Sequence, residues 1–278
     1  MDNGSMIDKL KAFYQLFSLT EDDVGKKESM LKLIGTFDSP LMRKISSPNV
    51  SDDDAFTAIN SSPNMALASF LVFSGADMVA YAESFEEYHD LLGNDIGELG
   101  CGAGVFSVYM ASAYPALTVT GVDREKSSIK TGERIQKRVG CKNCAFVCER
   151  VGSKRTPHVF SGLVGLNFAM NQIMESDQND AAQVYEHGAI VMAPIAWMLP
   201  EEGWYLGSEM ASRYQLAGAL FNGALFADLV PVHCKRKRLE EEVYRYSFLL
   251  QKHTGMTEEE KRKVGHDITQ NLENGLDW

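Results

Sequence analysis

Residues 95–104 read DIGELGCGAG, with four glycines set around Glu98. Glycine inside a regular element costs roughly 0.5–1 kcal/mol relative to alanine, so such a cluster marks a tight turn or a ligand brought close to the backbone. The texture of the chain changes at this point. Before it, MIDKLKAFYQLFSL places Ile7, Leu10, Phe13, Leu16 and Phe17 at spacings of three and four, and residues 64–92 continue in apolar stripes with few strand signals. Residues 6–92 therefore read as helical. SSPNVSDDD at 47–54 reads as a loop whose last residues can cap the next helix.

From Asp95 onward, strand and helix patterns alternate. DIGELG is a short strand, VFSVYMASAY a helix, ALTVTGVD a β-branched strand, EKSSIKTGERIQKRVG a charged amphipathic helix and CAFVCERV a third strand. HVFSGLVGLNFA and GWYLGSE supply two more strands, each followed by a helical stretch, the second beginning at Met210. VPVHCKRKRL and EVYRYSFLLQKH alternate well enough to pair antiparallel at a sheet edge. The expected fold is α/β, a doubly wound, mostly parallel seven-stranded sheet with a helical N-terminal extension. The expected organisation is an extension over 1–92, the α/β domain over 93–255 and a polar, helix-prone tail over 256–278.

The composition, 45% hydrophobic and 23% charged, suits a globular core rather than a disordered chain. A formal charge of −11 disfavours nucleic acid or an anionic membrane as a wholesale partner. The charge is uneven: residues 1–98 hold 7 basic and 17 acidic side chains, whereas residues 123–155 hold 10 basic and 4 acidic. No secretory signal pattern is recognisable and the apolar runs are too short or too interrupted to span a bilayer, so a cytoplasmic location is expected.

Five cysteines, Cys101, Cys141, Cys144, Cys148 and Cys234, are an odd number for a disulfide framework. CKNCAFVC has CxxC spacing but no further ligand pair, so no metal is expected. Cys144 and Cys148 read instead as small apolar residues in or beside a buried strand.

In an open parallel sheet, ligands bind beyond the carboxyl ends of the strands, where strand order reverses. The glycine turn follows the first strand of the βαβ run, and Gly100, Gly102 and Gly104 let the backbone turn sharply while the next helix points its N-terminus at the same place. Asp123 closes the second strand 19 residues after Gly104, where a carboxylate can accept hydrogen bonds from both hydroxyls of a ribose. Glu98 discriminates further: a carboxylate in the turn would repel a pyrophosphate but suits a ligand with a cationic amino-acid end. Val105 also stands where a dinucleotide fingerprint has its third glycine. Both features point away from a nicotinamide oxidoreductase.

At these residues the sequence resembles the class I S-adenosylmethionine-dependent methyltransferases. ELGCGAG is similar to that family's acidic-x-Gly-x-Gly-x-Gly motif and VTGVDRE to its second-strand acidic motif, over roughly residues 90–252 of the chain. The resemblance implies S-adenosyl-L-methionine as cofactor and S-adenosyl-L-homocysteine as product. It implies that Leu99, Gly100, Cys101 and Gly102 support the methionine part, with Glu98 helping to orient it, that Asp123 holds the ribose and that Arg124 flanks the adenine. Glu149, or Arg150 with a shift of one, falls near the adenine amino group. The fourth-strand motif departs from the family pattern, and Asn167 is the residue nearest its acidic position. The absence of an Asn-Pro-Pro-aromatic motif disfavours an amino-methylating DNA enzyme.

Methyl transfer from a sulfonium is an in-line displacement that positioning can drive, so a dedicated base is optional and no catalytic residue is assigned. Among His158, His187 and His233 in the core domain, His187 is the one placed to face an acceptor. A small-molecule acceptor is the first expectation, because apolar N-terminal helices can enclose one. A protein or RNA acceptor, met by HCKRKR and the basic 123–155 stretch, is the alternative within the same chemistry. A non-catalytic module that retains the cofactor turn is the alternative outside it.

Overall fold

The structure is a computed structural model and describes residues 5–35, 52–153, 158–174, 181–211, 214–240 and 243–278. The N-terminal helices are α1 (Met6–Gln15), α2 (Lys27–Ile34), α3 (Asp52–Asn60), α4 (Pro63–Leu67), a π-helical turn (Ala68–Phe73) and α5 (Gly75–Leu92). The loop expected at 47–54 lies outside the described residues as far as Ser51, and from Asp52 the chain is already helical. Alternation then begins as β1 (Asp95–Leu99), α6 (Val105–Ala113), β2 (Thr118–Asp123), α7 (Lys126–Val139), β3 (Cys144–Cys148) and β4 (Gly162–Leu166). It continues through α8 (Ala169–Met174), α9 (Ala181–Trp197), β5 (Trp204–Ala211), α10 (Tyr214–Phe226), β6 (Leu229–Glu240), β7 (Val243–Lys252) and α11 (Glu258–Asn274).

Seven strands form one sheet in the order β3-β2-β1-β4-β5-β7-β6. β1, β4 and β5 pair in parallel, as do β2 and β3, while β7 runs antiparallel to both β5 and β6. Strand order reverses between β1 and β4, so the sheet is doubly wound as the alternating pattern implies. No single helix among the described residues is long and apolar enough to cross a membrane.

The chain divides into two compact units. The first comprises residues 1–87 and 101–150, and its helices share one aromatic core with the βαβ segment that follows the glycine turn. Phe13 of α1 meets Tyr109 of α6 edge-on at 5.4 Å, and Phe85 and Tyr81 of α5 meet Phe106 at 6.1 and 6.0 Å. Tyr14 is fully buried and donates its hydroxyl to the Leu71 carbonyl at 2.9 Å. β3 is the edge strand, so Cys144 is buried while Cys148 is exposed. That corrects the expectation of a buried strand: among the described residues β3 pairs with β2 alone, and its outer residues meet solvent.

The second unit comprises residues 88–100 and 151–278. Helices α9 and α10 cross closely because a Cβ at Gly188 would lie 2.3 Å from the Ala219 carbonyl oxygen, a distance only glycine permits. β5 runs to Ala211, two residues beyond the expected end at Glu209, because Met210 and Ala211 find register partners in Arg245 and Tyr244 of β7. The polar segment from Thr257 forms α11, opened by a capping box between Thr257 and Glu260. Beyond it, Trp278 exchanges backbone hydrogen bonds with Cys234 of β6 at 2.7 and 3.1 Å and packs its ring on Phe221.

Candidate functional site

The turn after β1 is fixed by its own backbone. The Cys101 amide donates to the Val122 carbonyl at 3.1 Å, the Gly104 amide to the Cys101 carbonyl at 2.8 Å and the Gly102 amide to Asp123 Oδ2 at 2.8 Å. Gly100, Gly102 and Gly104 all have φ between +53° and +65°, the left-handed region that penalises a side chain by roughly 1–2 kcal/mol. Two of these glycines also make room for rings. A Cβ at Gly104 would stand 2.1 Å from the Phe146 ring, and one at Gly100 would stand 2.5 Å from the Phe168 ring. A Cβ at Gly102 would instead meet a polar group, Asn60 Nδ2, at 3.3 Å. The glycine run therefore serves internal packing at both ends and faces a carboxamide at its centre.

Asp123 ends β2, half-buried, with both carboxylate oxygens in use. Oδ2 accepts from Gly102 and Oδ1 from the Glu125 amide at 2.8 Å. A carboxylate offers about four lone-pair sites, so two backbone bonds leave it able to accept two more. The Asp123 carbonyl accepts the Glu149 amide at 2.9 Å, which sets Glu149 one strand over, half-buried, just past the end of β3. Arg124 is exposed beside Asp123, and its carbonyl faces the Cys148 thiol at 3.5 Å. Glu98 and Leu99 are buried in β1, paired in register with Val164 and Gly165 of β4. Cys101 is buried with the turn.

Asn167 lies just past β4 with φ of +51°. Its amide donates to the Ser208 carbonyl at 2.9 Å, and its Oδ1 accepts the Met210 amide at 3.0 Å. The side-chain oxygen thus continues the ladder to β5 where the strand has ended. Beside it stands a carboxylate that sequence reading missed. Glu209 is fully buried, with Oε1 accepting the amides of Phe168 at 3.1 Å and Ala169 at 2.9 Å, and Oε2 that of Met170 at 3.2 Å. Burial pushes its carboxyl up to about 8, outweighing the three amides, which act in the opposite direction. Asn60 was missed as well: an amide at a helix end looks like a surface residue, and its neighbour Gly102 is distant in sequence.

The three core-domain histidines do not gather. His158 pairs with Asp95 on the surface at 2.9 Å, His233 of β6 sits against the Tyr88 ring, and His187 lies half-exposed on α9. All five cysteines are free, and among the described residues no group of three metal-ligating side chains comes together. In the basic run of β6, Arg236 is already committed: its guanidinium donates to the Leu272 carbonyl at 3.3 Å and stacks over the Tyr244 ring at 4.5 Å.

Residues 94–160, from the approach to β1 to the approach to β4, match the family model described as a methyltransferase domain. Of the solved structures with a similar fold, one described as converting a disulfide bond into a thioacetal group during echinomycin biosynthesis is 12% identical. It covers 68% of this chain and 87% of its own, with a TM-score of 0.50. Magnesium protoporphyrin IX methyltransferase from Synechocystis PCC 6803, solved with S-adenosylmethionine bound, is 12% identical over 77% of this chain and 92% of its own, with a TM-score of 0.49. A methyltransferase from Methanosarcina mazei is 16% identical over 60% and 97%, with a TM-score of 0.49. No curated protein matches the sequence. The methyltransferase-domain match over residues 94–160 falls on the glycine turn and Asp123, within a seven-stranded, doubly wound sheet.

Proposed function

We propose that the chain transfers a methyl group from S-adenosyl-L-methionine to an O, N or C nucleophile of a small organic acceptor. The observation that carries the reading is Asp123: a strand-end carboxylate locked to the Gly102 amide, with acceptor capacity left over. The residues fit the cofactor. Gly102 carries no side chain of its own, the buried Asn60 amide that faces it has no partner among the described residues, and acids stand at Glu98 and Asp123.

When bound, the cofactor supplies a methyl group made electrophilic by a sulfonium. Asp123 accepts hydrogen bonds from the ribose hydroxyls, with its orientation fixed beforehand by the Gly102 and Glu125 amides. Glu98 attracts the cationic amino group, directly or through water. Leu99, Gly100, Cys101 and Gly102 form the backbone floor under the methionine part, while Arg124 and Glu149 flank the adenine. Asn167 is assigned a positioning role only, since its Oδ1 is held by Met210. No side chain is assigned as a base, because alignment of the acceptor supplies much of the rate.

A small acceptor is favoured over RNA because the basic run 235–238 lies on an edge strand. Charge there blunts strand-to-strand association, and Arg236 is already spent inside the fold. Five free cysteines, one of them exposed, suit the reducing cytoplasm. Incubation with methyl-labelled cofactor and separate pools of metabolites, RNA and protein tests the reading. Label should enter the metabolite pool, and label confined to RNA or protein would contradict it.

A further inference from the structure

Asn60, the last residue of α3, is 7% exposed, and its Nδ2 has no hydrogen-bond partner among the described residues. It is nevertheless firmly placed. α3 packs on α4 and α7, and the next residue, Ser61, bonds back to the Ala58 carbonyl at 2.8 Å. A buried donor without an acceptor destabilises a fold, so its persistence points to an acceptor that arrives from outside. The neighbour that Nδ2 faces is Gly102, at the centre of the glycine turn.

The chemistry of that turn says which acceptor. The amides of Cys101, Gly102 and Gly104 are spent on the Val122 carbonyl, Asp123 Oδ2 and the Cys101 carbonyl. Glu98, buried in β1 just before the turn, suits an ammonium group and repels a carboxylate. A ligand with an amino-acid end carries an α-carboxylate, and Asn60 Nδ2 is a buried donor with no partner among the described residues, set against this backbone. We propose that Asn60 is a cofactor-binding residue, its carboxamide N–H donating to the α-carboxylate of the adenosyl amino acid. The inference rests on the cofactor site proposed above and gives the N-terminal helices a direct part in it.

Calorimetry on the full chain separates the two claims, using S-adenosylhomocysteine and 5′-methylthioadenosine, which lacks the amino-acid end. Asn60→Leu keeps the approximate shape of the side chain and removes the donor, and Asn60→Ala serves as a second variant of smaller size. Both should weaken S-adenosylhomocysteine about tenfold or more while leaving 5′-methylthioadenosine within about twofold of the wild-type chain. The melting temperature of ligand-free Asn60→Leu should hold or rise, because the unsatisfied donor is gone. Asp123→Ala should weaken both ligands, since both carry the ribose. Equal loss of the two ligands in the Asn60 variants, or unchanged S-adenosylhomocysteine affinity, would overturn the role of Asn60 and leave the cofactor site standing. A wild-type chain that binds neither ligand would overturn the cofactor site and the role of Asn60 with it.

Discussion

At the end of β2 the Asp123 carboxylate accepts two backbone amides, stays half-buried and keeps lone pairs in reserve. Within β5 the Glu209 carboxylate accepts three backbone amides and is sealed from solvent. Both are single acids on strands of the same sheet. What separates them is how much of their hydrogen-bonding capacity the fold consumes. Glu209 ties the start of α8 to β5 from within one unit. Asp123 tethers a turn and retains the means to hold something else. The unsatisfied amide of Asn60 belongs with Asp123 in this respect, because both leave polar capacity unspent beside Gly102.

The sharpest way to break this contrast is to remove Glu209. Glu209→Ala strands three backbone amides, two of them in buried hydrogen bonds, and opens a void, and should lower stability by about 3–5 kcal/mol in urea unfolding. A loss below about 1 kcal/mol would show that those amides do not depend on it. The pH dependence of stability follows from the same group. The folded chain keeps a proton on Glu209 up to about 8, whereas the unfolded chain releases it near the ordinary value of 4.5. The folded state thus binds more protons across this window, and the contribution of Glu209 to stability declines as pH rises from about 5 to about 8. In Glu209→Gln that part of the slope should vanish, and an identical slope in both proteins would remove the claim. The smallest effect is expected at the other acid. Ligand-free Asp123→Ala should lose only about 1 kcal/mol of stability, because one of its two backbone hydrogen bonds is exposed and the other only part-buried. A loss as large as that of Glu209→Ala would make Asp123 a structural group like Glu209.

Much of the fold was legible because its signals are local. The β-branched run before Asp123 and the charged amphipathic helix after it state their own periods, and the alternation of β6 and β7 announces an antiparallel pair. What was not legible depends on partners distant in sequence. Met210 and Ala211 read as the start of a helix but lie in a strand, because β7 supplies their register partners. Cys144 and Cys148 read as small apolar residues in or beside a buried strand, yet the place of β3 at the sheet edge exposes Cys148. In the candidate site, the glycine turn and Asp123 could be named from spacing alone. Phe146 could not be placed against Gly104, because that contact exists only once β3 lies beside β2. Asn60 and Glu209 carry no motif: one has an unpaired amide and the other backbone donors for partners, and neither leaves a trace in residue spacing.

The central claim is that the turn held by Asp123 is the seat of the adenosyl cofactor. Calorimetric titration of S-adenosylhomocysteine into the wild-type chain and Asp123→Ala tests it most directly. Saturable one-to-one binding is expected in the wild type, weakened by about 1–3 kcal/mol in the variant through loss of charge-assisted hydrogen bonds to the ribose. Equal affinity in the two proteins, or no binding to the wild type, would contradict it.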